Sequence, residues 1–520
     1  MYRLSSKYLL VFFFVAYLFG IFSGLPSAFN NSFDSPAPYA PLKFFANWSD
    51  STAVVKYPAA HYIITIPFYL LIIITLKIFG ILKSISGEWP FGFTDPTLAF
   101  NAMIITSRLI STFMSIYVIY VISRINFFYD HKKDELRKFL FIVLLGFNGV
   151  YAFYSRLGNL DIPYIFWWVL SISYLWQYYV LSEKRIINLR YFSAFSALAV
   201  ATKDQAAGLV LGSMLIIIYD IIKSRADLKN YLKHLVNVVL TFWSIYFIFA
   251  ILPQPFRWLE HIKLWLPSNN KLTSWTDKYE PTIIGYKNLF SDIFFNDLTN
   301  NLSLGLIGFS FFGLFLLIKK NKLKEISILL VPNLTYILFI IVPIRFSFER
   351  YMLPLAISLT ILASLGITHL FFLLNKKKFG QYLFLVFLIS LIMHHMVYGF
   401  GLTTYIQTQG DQKSKLAKQI ELYIPPNSII KWEGGIRAFP NADVYSNHNF
   451  TFPESKKYSR SFKGVFRNEN RGNEAYILSE NKLDNFEDYE LIRKWEDENF
   501  VEKYFFIKYK INYYLYRLRK

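Results

Sequence analysis

Apolar runs long enough to cross about 30 Å of hydrocarbon recur through the first four fifths of this chain, and every second connection between them is basic. The runs fall near 8–26, 99–123, 139–155, 162–181, 191–202, 206–222, 235–252, 303–318, 326–343, 352–374 and 381–400. Arg3 and Lys7 precede the first run. Lys132, Lys133, Arg137 and Lys138 lie in one connection, and Lys184, Arg185 and Arg190 in a later one. Lys223, Arg225, Lys229 and Lys233 follow, then Lys319, Lys320, Lys322 and Lys324, and finally Lys376, Lys377 and Lys378. That alternation predicts a polytopic α-helical membrane protein of about 11 spans, with the basic loops and the N-terminus in the cytoplasm. The composition agrees: 54% of the 520 residues are hydrophobic and 17% are charged, where a soluble domain carries about a quarter. The net charge of +20 is therefore read as a topology signal, and a nucleic-acid partner is not expected. With no cysteine, disulfides, thiolate metal sites and a cysteine nucleophile are excluded.

One segment tests this plan. Residues 58–80 are apolar enough to span, yet a crossing there would place every later lysine cluster outside. Pro58, His61, Pro67 and Lys77 suit an interfacial or re-entrant helix instead. The first external loop then runs over 27–98, and a second, rich in Trp, Asn and Pro, over 253–302. From 403 the composition changes: charges become dense and turn pairs such as Pro425-Pro426 and Gly434-Gly435 appear. The expected division is a transmembrane domain over 1–402 and an extracytoplasmic α/β domain over 403–520. A helix is expected at 411–424, with strands at 428–432, 475–479, 489–495 and 501–509.

Polar residues gather at the external ends of the spans. The first loop carries Asp34 and, later, Asp50. The next external connections contain Ser155-Arg156-Leu157-Gly158-Asn159-Leu160-Asp161, Ala201-Thr202-Lys203-Asp204-Gln205 and Arg345 through Pro354. Two carboxylates and several cations on one face suit an anionic amphiphile whose tail lies in lipid. Each residue also has a plainer reading. Asp161, followed by Ile162-Pro163, would cap a helix; Lys203 would pair with Asp204; Arg156 would snorkel to the interface. His61 and the pair His394-His395 would be interfacial. Gly434-Gly435 reads as a turn.

The order of these elements resembles a family. A first-loop Asp, Lys56-Tyr57-Pro58-Ala59-Ala60-His61-Tyr62, a span opening Ser107-Arg108-Leu109-Ile110-Ser111-Thr112, and the three external motifs are similar to membrane glycosyltransferases of the GT-C class. The branch is that of the protein O-mannosyltransferases and lipid A aminoarabinose transferases, glycosyltransferase family 39 and its bacterial relatives. The resemblance covers roughly 8–400. It implies a GT-C-like fold in an inner (plasma) membrane and a polyprenyl-phosphate sugar donor. The reaction it implies inverts the anomeric centre and serves the cell envelope. The acceptor would be a hydroxyl or phosphate on a lipid, glycan or protein. It maps the family's first-loop acid onto Asp34, its second-loop acid onto Asp161, and its lysine and arginine onto Lys203 and Arg350, with the two acids as the catalytic candidates; Arg156, Arg345 and His61 are further substrate-binding candidates from their placement. Two departures matter: Asp34-Ser35 replaces an acidic pair, and Pro58-Ala59 a double proline, so Asp50 is a rival for the base. No cofactor is implied with certainty, and a divalent metal between Asp34 and a phosphate stays open. The alternatives are a transporter or flippase of an amphiphilic anion, or an oligosaccharide polymerase.

Overall fold

The computed structural model describes chiefly residues 2–23, 57–84, 92–127, 131–181, 186–223, 228–253, 279–374 and 378–401. In the C-terminal region it describes short segments around 422–433, 449–451, 476–479, 489–495 and 513–518. Asp34, Asp50, most of the helix expected at 411–424 and the strand expected at 501–509 lie outside the described residues.

The described chain is mostly helical: α1 Tyr2–Leu18, α2 Ala60–Ile78, α3 Pro96–Ser123, α4 His131–Gly146, α5 Gly149–Ser155, α6 Asp161–Tyr179, α7 Ile186–Thr202, α8 Ala206–Lys223 and α9 Leu228–Tyr246. Then come α10 Ile283–Asn301, α11 Leu304–Lys319, α12 Leu323–Ile344, α13 Leu353–Leu374 and α14 Lys378–His394. Among the described residues, seven helices are long and apolar enough to cross a membrane, or nine if each bent pair is one span. Lys7–Leu18 and Ile186–Thr202 are shorter apolar helices. Large apolar side chains such as Phe113, Trp243, Phe311 and Phe387 stay exposed on their outer faces, as lipid-facing helices require.

Two expectations change, and the segment at 58–80 gains a defined helix. The run at 139–155 is two helices, α4 and α5, bent by 68°, because Asn148 interrupts the ladder and caps α5 by accepting from Tyr151 N at 2.8 Å. The loop expected over 253–302 contains α10, which meets α11 at a 99° bend. Residues 60–78 form one uninterrupted 19-residue helix that includes Pro67, long enough to cross by length and composition.

By contact the chain divides into two units. The first comprises Met1–Leu18, Ser49–Ile64 and Leu109–Thr403; the second comprises Phe19–Trp48, Thr65–Arg108 and Thr404–Lys520. In the first, small residues bring helices close. Ser171 and Ser196 hydroxyls meet at 2.6 Å between α6 and α7. A Cβ on Gly313 would overlap the Leu362 carbonyl, so α11 and α13 touch through backbone. In the second, Tyr69, Leu76, Phe93, Phe100 and Met103 form an apolar cluster. Arg108, fully buried, donates to the Ile21 and Ser23 carbonyls at 2.5 and 2.7 Å.

The C-terminal strands are β1 Ile429–Glu433, β2 Asn449–Thr451, β3 Tyr476–Ser479, β4 Tyr489–Trp495 and β5 Tyr513–Leu518. They form one sheet in the order β2-β1-β3-β5-β4. β1 is parallel to β2 and β3, and β5 is antiparallel to β3 and β4. Ile430, Ile477, Leu478 and Leu515 are buried.

Candidate active site

Asp161 opens α6, where the unpaired N–H groups of the first turn favour a negative charge. It is fully buried. It does not act as the cap expected of it: Leu160 holds that position and no side chain caps the helix. Its carboxylate instead pairs through Oδ1 with Lys203 Nζ, while Oδ2 lies 3.6 Å from Arg350 Nη1.

Lys203 sits in the turn between α7 and α8, its N–H donating to Ala199 O and its carbonyl accepting from Ala206 N. The ammonium is 2% exposed and lies between the Tyr164 and Tyr351 rings, 5.2 and 5.3 Å from their centres. Asp161, and not the adjacent Asp204 expected from sequence, is its ion-pair partner. A buried charge is tolerated only when paired, and here two cations share one carboxylate.

Arg350 belongs to a single 3₁₀ turn, Glu349–Met352, that leads into α13. Its guanidinium packs over Phe348 and Tyr351 at 5.4 Å each. Its Nε is buried and has no hydrogen-bond acceptor, and Asp161 Oδ2 is buried without a hydrogen-bond donor. Asparagines hold the turn. Asn148 Nδ2 donates to Asn301 O at 2.5 Å, and Asn301 Nδ2 donates to Glu349 O at 2.9 Å. Ser347 also donates to Asp297. The bends at Asn148 and Asn301 therefore serve the site in series: the Asn148 amide holds the Asn301 backbone, and the Asn301 amide holds the segment carrying Arg350.

Tyr57, just before α2, joins the same neighbourhood. Burial pushes its phenol up, against the downward pull of the Arg350 guanidinium. Arg156, after α5, is fully buried and does not snorkel; it is boxed by Tyr17 and Phe400, 5.3 and 4.6 Å from their ring centres. Burial lowers its guanidinium to about 10, so it stays charged at neutral pH. Arg345 ends α12 in the left-handed region, φ 52°, so its backbone turns the chain toward Arg350. His61 is buried at the start of α2. Asp161 has Lys203 and Arg350 as its ion-pair partners among the described residues; Arg156, Arg345 and His61 are not among them. His395, expected at the interface, is buried and lies 3.2 Å from Ser303 Oγ.

The sequence reading missed Tyr57, Asn148 and Asn301. The only sequence signals for the asparagines were polar breaks in apolar surroundings, Phe147-Asn148-Gly149 and Asn300-Asn301-Leu302. Among the described residues no group of three or more His, Asp or Glu side chains is placed to hold a metal ion.

The site elements lie at the same end of their helices: after α5, before α6, between α7 and α8, and before α13. The lysine-rich connections expected to be cytoplasmic join the opposite ends. No family model matches the sequence, and no curated protein matches it. Among solved structures, ArnT from Cupriavidus metallidurans bound to undecaprenyl phosphate is 12% identical, covering 91% of this chain and 93% of that one with a TM-score of 0.47. Its apo state gives 12%, 91%, 92% and 0.48. The oligosaccharyltransferase AglB from Archaeoglobus fulgidus, in complex with an inhibitory peptide and a dolichol-phosphate, is 11% identical. It covers 91% of this chain and 69% of that one, with a TM-score of 0.43.

Proposed function

We propose that this chain is an inverting glycosyltransferase that moves a sugar from a polyprenyl-phosphate-linked donor to an acceptor hydroxyl or phosphate at the extracytoplasmic membrane face. The observation that carries the reading is Arg350: a guanidinium paired at 3.6 Å with a buried carboxylate that it shares with Lys203, its Nε left without an acceptor. Two cations on one acid leave one positive charge for an incoming anion, and a phosphate oxygen would complete the Arg350 fork. The motif order along the chain supports the same reading.

In the reaction the bond from the anomeric carbon to the phosphate oxygen breaks, and its electron pair stays on the phosphate. Lys203 and Arg350 neutralise that charge where it develops, which is the larger expected contribution. The acceptor oxygen attacks from the opposite face, and its proton passes to a carboxylate, for which Asp34 is the candidate. Asp161 is the positioning acid that fixes both cations. Tyr57 stands beside Arg350 and Asp161, Arg345 sets the turn, and Arg156 and His61 are further substrate-binding candidates.

The test is release of polyprenyl phosphate from a panel of polyprenyl-phosphate sugars by purified protein. Release that disappears in Arg350→Gln and Lys203→Gln supports the reading. If no donor is consumed and a labelled amphiphilic anion instead crosses vesicles, the transporter reading replaces it. A periplasmic reporter fused after Gly401 tests the face: a cytoplasmic result there would make α2 a crossing helix and reverse the site's orientation.

A further inference from the structure

At the end of the first unit opposite Arg350, a cavity of about 490 Å³ lies between the ends of α6, α11 and α12 and the segment after α3. Phe127, Trp176 and Leu317 form part of its wall, and Lys320, Lys322 and Glu325 bring charge to it. Phe127 packs on Trp176 at 4.6 Å, and the buried Arg137 guanidinium lies 5.2 Å from the Phe127 ring centre. Glu325 pairs with Lys322 at 3.0 Å and Asp134 with Arg137 at 3.2 Å. Lys319 and Lys324 stand beside the same helix ends, so cations outnumber acids around the cavity. Trp176 is 2% exposed and its indole N–H has no acceptor.

We infer that this cavity binds an anionic phospholipid from the leaflet at the basic end of the helices. The head-group phosphate meets Lys320 and Lys322, and an acyl chain runs along the wall formed by Leu181, Leu316, Leu317 and Leu365. A cavity of this volume is in the range of small-molecule sites, and basic pockets between membrane helices suit lipid phosphates. The apolar lining favours a lipid over a soluble anion, which would leave that wall unused.

The experiment uses the full chain in detergent, with native mass spectrometry against short-chain phosphatidylglycerol, phosphatidylcholine of the same chain length, and inorganic phosphate. Phosphatidylglycerol should bind more tightly than phosphatidylcholine. The double variant Lys320→Gln, Lys322→Gln should weaken phosphatidylglycerol by about tenfold or more and leave phosphatidylcholine unchanged. Equal affinity for the two lipids, or unchanged phosphatidylglycerol affinity in the double variant, would overturn the inference. Displacement of phosphatidylglycerol by an equal concentration of inorganic phosphate would replace it with a soluble-anion site.

Discussion

Asp161 and Lys203, 42 residues apart, form a buried ion pair that joins the first residue of α6 to the turn after α7. Arg350 approaches the other oxygen of the same carboxylate. The three side chains are therefore one electrostatic unit, and their substitutions should not add.

Removing the acid strands two cations, whereas removing Lys203 leaves Asp161 still facing Arg350. Asp161→Asn should thus destabilise more than Lys203→Met, by about 3–5 kcal/mol for the former. Asp161→Asn combined with Lys203→Met should recover part of that loss. Thermal unfolding in detergent checks the order, and simple additivity of the two would contradict a shared unit.

Arg350→Lys keeps the charge and loses the planar fork. If the fork grips phosphate, donor turnover should fall by about 10²-fold while unfolding changes little. Arg345→Gly makes the opposite case, since its left-handed backbone suits glycine. Turnover in that variant should stay near wild type.

Asn301→Ala removes the amide that supports the Glu349 carbonyl. A loss of about 1–2 kcal/mol is expected from the buried carbonyl left unpaired. Turnover should fall with it through displacement of Arg350, read as a rise in KM for the donor. Unchanged donor kinetics would mean that the asparagine link supports the fold alone.

Asp34→Asn should abolish transfer with expression and unfolding intact. Loss of transfer in Asp50→Asn alone would move the proton acceptor to Asp50.

Gly313→Leu tests the backbone contact of α11 with α13. Overlap with the Leu362 carbonyl should cost about 1–3 kcal/mol or more, seen as a lower unfolding temperature, because neither backbone can rotate away as a side chain would.

Much of this site was legible before any coordinates. Lys203 and Arg350 stood out, with Arg156 and Arg345, because charges at the edge of apolar spans are expensive and therefore few, and the family resemblance added Asp161 and favoured Arg350. Their pairing was not legible: Asp161 before Ile162-Pro163 has the local pattern of a cap, and Asp204 is Lys203's nearest acid in sequence. Tertiary contact overrode both. The helical plan survived, but hydropathy averaged over 139–155 hides a bend that depends on one amide. The Asn148–Asn301 link was beyond reach for the same reason, since its acceptor is a main-chain carbonyl, which carries no residue-type signal.

The bend at Asn148 also imposes an order of assembly. Its amide finds the Asn301 carbonyl 153 residues later in the chain. At about 5–20 residues per second of synthesis, α4 and α5 wait on the order of ten seconds or more before that partner emerges. Through this interval the Asn148 amide needs another acceptor, water or the insertion machinery, at the membrane edge. The first half of the bundle is thus committed to the bilayer before the contact that ties it to Asn301, and through Asn301 to the Arg350 turn, exists, and the site closes only late in biogenesis.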